Sequence, residues 1–176
     1  MNSMRYRAFI DDEDEVYRLE YYHNPKRWTM NMVSDENPIK NVSNWSHEIK
    51  YLNELNNDIS DEIKTLPNTT GGIYIFYLKG LNLPFIENYI LYIGRCQYTD
   101  QQNIRKRAKE YYSDKRALIS RMFHKWDKYL YYRYYPDVDN DRIKQNEVQL
   151  IRSILPYFNE DIPDNIEVRE TIPAFE

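Results

Sequence analysis

Glu147 lies where the sequence predicts the centre of an apolar helix face. In the segment 141–155, apolar residues recur at helical spacing. They are Ile143, Leu150, Ile151 and Ile154. Glu147 comes four residues after Ile143 and four before Ile151, and a buried carboxylate is costly unless it is paired or holds a metal. Two interpretations stay open: a functional carboxylate, or a glutamate that reaches water or pairs with an arginine.

Arg107 belongs to a second segment that could do chemistry, QNIRKRAKEYY (102–112). Its inward-facing residues are predicted to be Ile104, Ala108, Tyr111 and Tyr112. Arg107 lies on the flank of this face, one turn before Tyr111. A guanidinium at the edge of a core suits bidentate binding of phosphate. Arg105, Lys106 and Lys109 point farther outward, where an ordinary solvated basic face is the alternative.

Tyrosines stand beside glycines in two strand-like runs, GGIYIFYL (71–78) and NYILYIGR (88–95). The first run is apolar on both faces, which is typical of a central strand. The hydroxyl of Tyr74 therefore needs a partner inside the protein. Gly94 ends the second run at a point where close approach to the backbone is feasible.

The order of predicted elements indicates how these residues are positioned. Strands are predicted at 72–79, 89–95 and 129–135, and helices at about 102–112, 116–127 and 141–155. This order favours a small α/β domain of mixed (α+β) type. Upstream, short strands are predicted at 16–23 and 28–33, a helical region at 44–65, and an N-cap at Ser60.

Composition and charge limit the function classes. A chain of 176 residues suits one domain with an extension, and the lone Cys96 excludes an internal disulfide. No apolar run approaches the roughly 20 residues of a membrane span, so a cytoplasmic protein is expected. The net charge is −4, but residues 95–133 carry 11 basic and 4 acidic side chains. A basic face for nucleic acid is therefore compatible with the acidic total.

Four segments in order resemble one protein family. Gly72-Ile73-Tyr74 and Tyr92-Ile93-Gly94 resemble the signature of the GIY-YIG nucleases. The segment 103–111 is similar to the family's L-x-x-R-x-x-x-Y/H helix, and 147–159 to its E-x-x-L-I…P-x-x-N segment. The resemblance covers residues 70–159, about half of the chain.

The resemblance implies a fold and a chemistry. The fold is a central three-stranded antiparallel sheet flanked by helices, here with an N-terminal extension of strands and helix. The activity is hydrolysis of phosphodiester bonds with one divalent ion, Mg²⁺ or Mn²⁺. The expected substrate is DNA, in restriction or phage defence. The alternatives are an RNA-directed nuclease and a nucleic-acid-binding or protein-interaction module with little catalysis.

The resemblance also implies roles for individual residues. Tyr74 would be the general base or a proton relay, and Tyr92 would orient water or the scissile phosphate. Arg107, assisted by Tyr111, would bind the phosphate, and Glu147 would hold the metal. A wider set is expected to contact substrate: Gly94, Arg95, Arg105, Lys106, Lys109, His124 and Asn159. For His124, a packed or surface histidine is the alternative.

The expected domain organisation has three parts. Residues 1–69 form an extension of unknown role, 70–160 the nuclease domain, and 161–176 a C-terminal tail packed on it. The extension could support the fold, mediate a homodimer or bind a protein partner. The loop 79–88 between the two signature strands is longer than the family usually shows and could touch substrate.

Overall fold

The computed structural model describes residues 33–80 and 89–159. Strands β1 to β4 are Ile49–Lys50, Gly71–Leu78, Tyr89–Cys96 and Leu130–Asp137, and helices α1 to α4 are Asp61–Lys64, Ile104–Glu110, Ala117–Trp126 and Asn140–Ile154. Short 3₁₀ turns lie at Pro38–Lys40, Val42–Asn44, Tyr111–Ser113 and Asp127–Tyr129. None of these helices is both long and apolar enough to cross a lipid bilayer.

The four strands form one antiparallel sheet in the order β1-β4-β2-β3. The apolar run of β2 occupies the interior of the sheet, with β3 on one side and β4 on the other. This arrangement confirms the prediction of a central strand. Tyr74 is opposite Gly94 of β3 and Tyr134 of β4, and an irregularity in the β2–β3 register follows Phe76.

Each face of the sheet has its own hydrophobic core because successive side chains of a strand point to opposite faces. Tyr74, Phe76 and Leu78 belong to the core under α1, α2 and α3. Ile73 and Ile93 belong to a second core, which includes Ile143 and Ile151 of α4. The helix that carries Glu147 therefore covers one face of the sheet, and the helix that carries Arg107 covers the other.

The predicted fold class, a mixed α/β domain with an antiparallel sheet and flanking helices, is confirmed. The sheet has a fourth strand that the sequence did not predict: β1 pairs with β4 through Ile49–Tyr132 and Lys50–Tyr131. The strands at 72–79, 89–95 and 129–135 and the three later helices are found within a few residues of their predicted bounds. The strand predicted at 16–23, the strand predicted at 28–33 except its last residue, most of the 79–88 loop and the 161–176 tail lie outside the described residues.

The helix predicted over 44–65 is wrong. Only Asp61–Lys64 is helical there, beginning after Ser60, whose side chain accepts from the Ile63 amide as an N-cap. The preceding residues instead pair with the edge of β4 and close a bridge between Leu52 and Ile59. Between them, Asn53 and Asp58 side chains bind nearby amides, and Asn56 has φ 53°. Asn and Asp favour such local turns over a helix interior, so they override the apolar spacing.

Tyr112 also departs from its predicted place. It follows α2 in a 3₁₀ turn, is exposed, and donates its hydroxyl to the Asn57 carbonyl. The tighter turn changes the angle between successive side chains, which brings Tyr111 inward and leaves Tyr112 outside.

Residues 33–66 contribute to the same core as the later segments. Ile49, Leu52, Ile59, Ile63 and Leu66 are buried in the cluster that contains Tyr74 and Phe76 of β2. The chain from 33 to 66 is thus joined to the sheet by packing as well as by β1.

We expect Ile63→Ala to destabilise the whole protein, because Ile63 is fully buried in this shared core. The loss should be about 2–5 kcal/mol, measured as the free energy of unfolding in urea. Leu55→Ala is the control, since Leu55 is 78% exposed, and its effect should stay within about 0.5 kcal/mol. A separate, earlier unfolding transition in Ile63→Ala would contradict a single cooperative core.

Candidate active site

Three tyrosine hydroxyls meet on the face of the sheet covered by α2. Tyr74 and Tyr92 project from the adjacent strands β2 and β3, and Tyr111 follows the last residue of α2. The Tyr74 and Tyr111 hydroxyl oxygens are 2.7 Å apart, and the Tyr111 hydroxyl donates to that of Tyr92 at 3.0 Å. Tyr74 and Tyr111 are 37 positions apart in the chain, so the fold has to bring their side chains together.

Arg107 binds two of these hydroxyls and forms the buried end of the hydrogen-bonded chain. Its Nε donates to the Tyr74 hydroxyl at 3.2 Å, and its Nη2 donates to that of Tyr111 at 3.4 Å. The third nitrogen, Nη1, binds Glu110 at 3.1 Å. The guanidinium carbon is 4.8 Å from the centroid of the Tyr111 ring, within range of a cation–π interaction.

The direction of the hydrogen bonds follows from the donor inventory. A tyrosine hydroxyl has one proton to donate. Tyr111 donates its proton to Tyr92, so Tyr74 must donate to Tyr111 and accept from Arg107. Each bond therefore points outward, from Arg107 through Tyr74 and Tyr111 to Tyr92. The proton of Tyr92 is left to point away from the other two hydroxyls.

Burial distinguishes the three tyrosines. Tyr74 is 1% exposed and Tyr111 is also buried, whereas Tyr92 is half-buried. Burial raises the pKa of Tyr74 well above its ordinary value, and the neighbouring tyrosines add to this effect. Burial likewise raises the pKa of Tyr92, opposed in part by the positive charge of Arg116. Both hydroxyls are protonated at neutral pH, and Tyr92 is the one nearer to solvent.

Gly94 is what allows the Tyr74 ring to lie across β3. A Cβ at Gly94 would fall 2.5 Å from the Tyr74 hydroxyl oxygen and 2.6 Å from its Cζ. Real Cβ atoms do not approach other atoms so closely, so any larger residue would displace the ring. The close approach predicted at Gly94 is therefore made by Tyr74 itself.

Glu147 is held by an arginine from the neighbouring strand. Its side chain is 15% exposed, and Oε2 accepts a hydrogen bond from Nη1 of Arg95 in β3. Burial raises the pKa of Glu147 above 4.5, although the positive charge of Arg95 lowers it in part. The carboxylate is thus paired but still incompletely stabilised in its ionised form. Of the two interpretations of the sequence pattern, the structure shows the pairing with an arginine, and the functional role of the carboxylate stays a prediction.

A cavity of about 270 Å³ opens beside Glu147. Its polar lining residues are Tyr92, Arg95, Arg116, Glu147 and Asn159. Tyr74, Arg107 and Tyr111 are not among the described residues that line it. Tyr92 is consequently the link between the cavity and the buried hydroxyl chain.

Asn159 fixes the strand on which Tyr92 is carried. Its Oδ1 accepts from the Ile93 amide at 2.9 Å, and its Nδ2 donates to the Ile93 carbonyl at 2.7 Å. The side chain therefore satisfies both backbone groups on the outer side of β3, next to the cavity. The expected contact of Asn159 with substrate stays a prediction.

The remaining predicted contact residues are distributed unevenly. Arg105 donates from Nε to the Leu66 carbonyl, and Lys106 donates to that of Gln101 at 2.8 Å. Lys109 and His124 are exposed. None of these four lines the cavity among the residues that the structure describes. Their place as substrate contacts stays a prediction.

The sequence motifs contain neither Arg116 nor Asp114. Arg116 lines the cavity, and Asp114 binds its guanidinium. The only signal for Arg116 was the basic excess of residues 95–133, which does not distinguish one arginine from another, and Asp114 had no signal in the sequence. Their convergence with Glu147 depends on the turn between α2 and α3.

A metal ion could be held at this site by Glu147. The described residues contain no group of three His, Cys, Asp or Glu side chains placed to bind a metal. A single carboxylate beside a cavity with room for several waters suits Mg²⁺, which keeps most of its hydration. The donor set therefore fits such an ion, provided that Arg95 shares or releases Glu147.

Comparison with known proteins gives matches among solved structures. No protein-family model matches the chain, and no curated protein matches it. The GIY-YIG N-terminal endonuclease domain of UvrC from Thermotoga maritima, bound to its catalytic magnesium, is 19% identical. It covers 61% of this chain and 99% of its own, with a TM-score of 0.43. A point mutant of that domain, bound to its catalytic divalent cation, is 18% identical over 62% of this chain and 100% of its own, with a TM-score of 0.44.

The similar solved structures thus come from the family that the sequence motifs resemble. A likeness at this identity concerns the fold alone. What the site can do has to be argued from the side chains described above.

Gly94→Ala should destabilise the protein by roughly 1–3 kcal/mol, because the new methyl overlaps the Tyr74 ring. The test is a double-mutant cycle in which the free energy of unfolding is measured for Gly94→Ala, Tyr74→Ala and the pair. In the Tyr74→Ala background the cost of Gly94→Ala should largely disappear. An equal cost in both backgrounds would mean that Gly94 is required for another reason.

Proposed function

We propose that the protein is a metal-dependent endonuclease that hydrolyses phosphodiester bonds. One observation carries the proposal: residues that four separate motifs single out in the sequence converge in space. Tyr74, Tyr92, Tyr111 and Arg107 form one hydrogen-bonded chain. The outer end of that chain and Glu147 line the same cavity.

Tyr92 is the tyrosine placed to act on a group in the cavity. It accepts from Tyr111, so its own proton is available to a phosphate oxygen or to a water. Arg107 can only donate, which means that the chain has no acceptor at its inner end. A proton taken from water must therefore be matched by one that leaves through Tyr92 toward the cavity. In this arrangement Tyr74 does not contact water, and its role is to hold the Tyr111 hydroxyl as a donor to Tyr92.

Arg107 supports this chain with its positive charge. Burial alone would lower the pKa of Arg107, but the nearby tyrosines and Glu110 more than offset that effect and raise it. The guanidinium therefore stays charged and favours any negative charge that develops on Tyr74 or Tyr111. Phosphate oxygens in the cavity would feel the same field at a longer distance.

Glu147 would hold the divalent ion, expected to be a single Mg²⁺ or Mn²⁺. When bound, such an ion stabilises charge on the phosphoryl group and on the leaving oxygen. The chain's own contribution is the orientation of the carboxylate, which the hydrogen bond from Arg95 fixes. Arg95, once it shares Glu147 with the ion, is placed to bind a phosphate oxygen in the same cavity.

DNA is the proposed substrate, and restriction or phage defence in the cytoplasm is the proposed setting. An RNA substrate is the alternative within the same chemistry, since phosphate binding does not by itself read the 2′-hydroxyl. A second candidate is a binding module with little catalysis. The retention of Tyr74, Tyr92, Arg107 and Glu147 in one connected arrangement favours the enzyme.

The domain organisation is part of the proposal. Residues 70–159 carry every residue of the site described above. Residues 33–66 support this unit through the shared core. A homodimer, or a protein partner bound by the N-terminal region, would be tested by the mass of the protein in solution.

The deciding experiment is plasmid cleavage with and without Mg²⁺, using the native protein and Glu147→Gln. We expect cleavage to require the metal and to fall roughly 10²-fold or more in the variant, because the ion loses its carboxylate. Glu54→Gln is the matched control, since Glu54 is exposed and lies outside the cavity. Modified and unmodified DNAs and a structured RNA should be compared in the same assay.

Each outcome separates the candidates. Metal-dependent cleavage that Glu147→Gln abolishes supports the nuclease, and the polymer that is cut identifies the substrate. Binding of nucleic acid without cleavage would favour the binding module. Cleavage that survives in Glu147→Gln would show that the assigned metal ligand is wrong.

Glu147→Gln should also stabilise the metal-free protein at neutral and alkaline pH. Because folding raises the pKa of Glu147 above 4.5, its ionisation costs stability, and the cost grows as the pH rises through the folded-state pKa. Below pH 4.5 the native carboxyl is protonated and resembles glutamine, so the difference should vanish. The Tm of Glu147→Gln should therefore exceed that of the native protein at neutral and alkaline pH and equal it in acid.

Thermal melting in a chelator, at a series of pH values from acid to alkaline, measures this difference. Glu54→Gln again serves as the control and should show no pH-dependent gain. A lower Tm for Glu147→Gln at alkaline pH would mean that the pair with Arg95 stabilises the fold, and that Glu147 has a structural role.

A further inference from the structure

Arg116 is fixed at the rim of the cavity by an aspartate two residues earlier. Asp114 accepts from Nε of Arg116 at 3.1 and 3.0 Å and from its Nη2 at 2.7 Å. The same carboxylate accepts from the Arg116 backbone amide at 2.9 Å. Backbone and side chain are therefore held by one anion, which leaves the Nη1 group of the guanidinium outside this set of bonds.

The exposure of this pair argues against a purely structural role. The Asp114 side chain is 16% exposed and that of Arg116 is 45% exposed. An ion pair with one member so open to water contributes little to folding stability. What the geometry does provide is an arginine that a carboxylate fixes on one side and that lies beside the Tyr111 and Tyr92 side chains at the cavity on the other.

Two arginines approach the same aromatic ring in different settings. The guanidinium carbon of Arg107 is 4.8 Å from the Tyr111 centroid, and that of Arg116 is 5.7 Å from it. All three nitrogens of Arg107 are engaged by Tyr74, Tyr111 and Glu110. Arg116, in contrast, lines the cavity together with Tyr92 and Glu147.

The local electrostatics agree with this geometry. Burial raises the pKa of Tyr92, and the positive charge of Arg116 opposes that rise. The charge of Arg116 therefore acts at the hydroxyl that faces the cavity. An anion in the cavity beside Tyr92 and Arg116 would meet a hydroxyl donor and a guanidinium together, which is a combination suited to phosphate.

We propose that Arg116 is a phosphate-binding residue of this cavity and that Asp114 is the residue that positions it. The proposal rests on the proposed function for its substrate, a phosphodiester of DNA, but adds a cation that none of the four sequence motifs contains. Arg107 then supports the buried tyrosines, while Arg116 and Arg95, which line the cavity with Glu147, bind the phosphate group.

The first test is the salt dependence of binding to a fluorescein-labelled DNA duplex, measured by anisotropy without divalent metal. Each phosphate contact contributes about 0.9 to the slope of log K against log salt. Arg116→Gln should therefore lower the slope by about 0.9 and weaken binding by roughly 3–10-fold at low salt. Arg116→Lys keeps the charge and should keep the slope.

Arg121→Gln is the matched control. It removes one positive charge from the exposed face of α3, outside the cavity. The slope for this variant should stay near that of the native protein. Thermal melting of every variant establishes that the fold is retained.

The second test concerns Asp114 and uses cleavage as well as binding. Asp114→Asn leaves the charge of Arg116 in place but weakens its orientation. We expect an unchanged KM with a lower kcat, because binding by charge persists while the geometry at the reacting phosphate is lost. A merely structural role would instead lower the Tm without this separation of KM from kcat.

The outcomes separate a failure of the Arg116 proposal from a failure of the nuclease proposal. A reduced slope in Arg116→Gln, in a native protein that binds DNA but cuts nothing, supports phosphate binding while the nuclease proposal fails. An unchanged slope in Arg116→Gln, or an equal change in Arg121→Gln, overturns the role of Arg116 whether or not the protein cleaves. Failure of the native protein to bind the duplex overturns it as well.

Discussion

The site depends on one constraint: the Tyr74 ring is buried across Gly94, and its hydroxyl has to be satisfied without water. A buried hydroxyl that lacks a hydrogen bond is costly. Here Tyr111 and Arg107 supply the partners, and Tyr92 extends the chain toward the cavity. The positions of β2, β3 and α2 are therefore coupled through a few oxygen atoms. Because each hydroxyl donates to the next, the hydrogen bonds of the three tyrosines all point from Arg107 toward the cavity.

This arrangement divides the site into a buried interior and a rim that lines the cavity. The interior contains Tyr74, Tyr111 and Arg107, where burial keeps the Tyr74 hydroxyl protonated. The rim contains Glu147, Arg95 and Arg116, which line the cavity. Charge in the interior is fixed because Arg107 cannot give up its proton. Chemistry that moves protons must then begin at the rim, and Tyr92 is the residue that belongs to both regions.

The sequence predicted the parts of the fold in which local pattern and tertiary contacts agree. The central strand, the helix of Arg107 and the unusual position of Glu147 could all be read from periodicity. The region 44–65 could not, because its apolar spacing suits a helix while Asn53, Asn56 and Asp58 favour turns and the edge of β4 offers hydrogen bonds. Arg116 was missed for a different reason: its partners depend on a turn whose path no local pattern specifies.

The N-terminal segment is best understood through its contact with α2. The Tyr51 hydroxyl donates to the Ala108 carbonyl at 2.7 Å, one residue after Arg107. The Tyr51 ring also contacts Phe76 of β2 and Phe123 of α3. A side chain from the extension thus packs between the sheet and the helices that carry the site. A surface for DNA would need positive charge, but residues 1–70 have 8 basic and 13 acidic side chains. Burial and charge together favour a supporting role, in which residues 33–66 hold α2 at the distance from β2 that the hydrogen bond between Arg107 and Tyr74 requires.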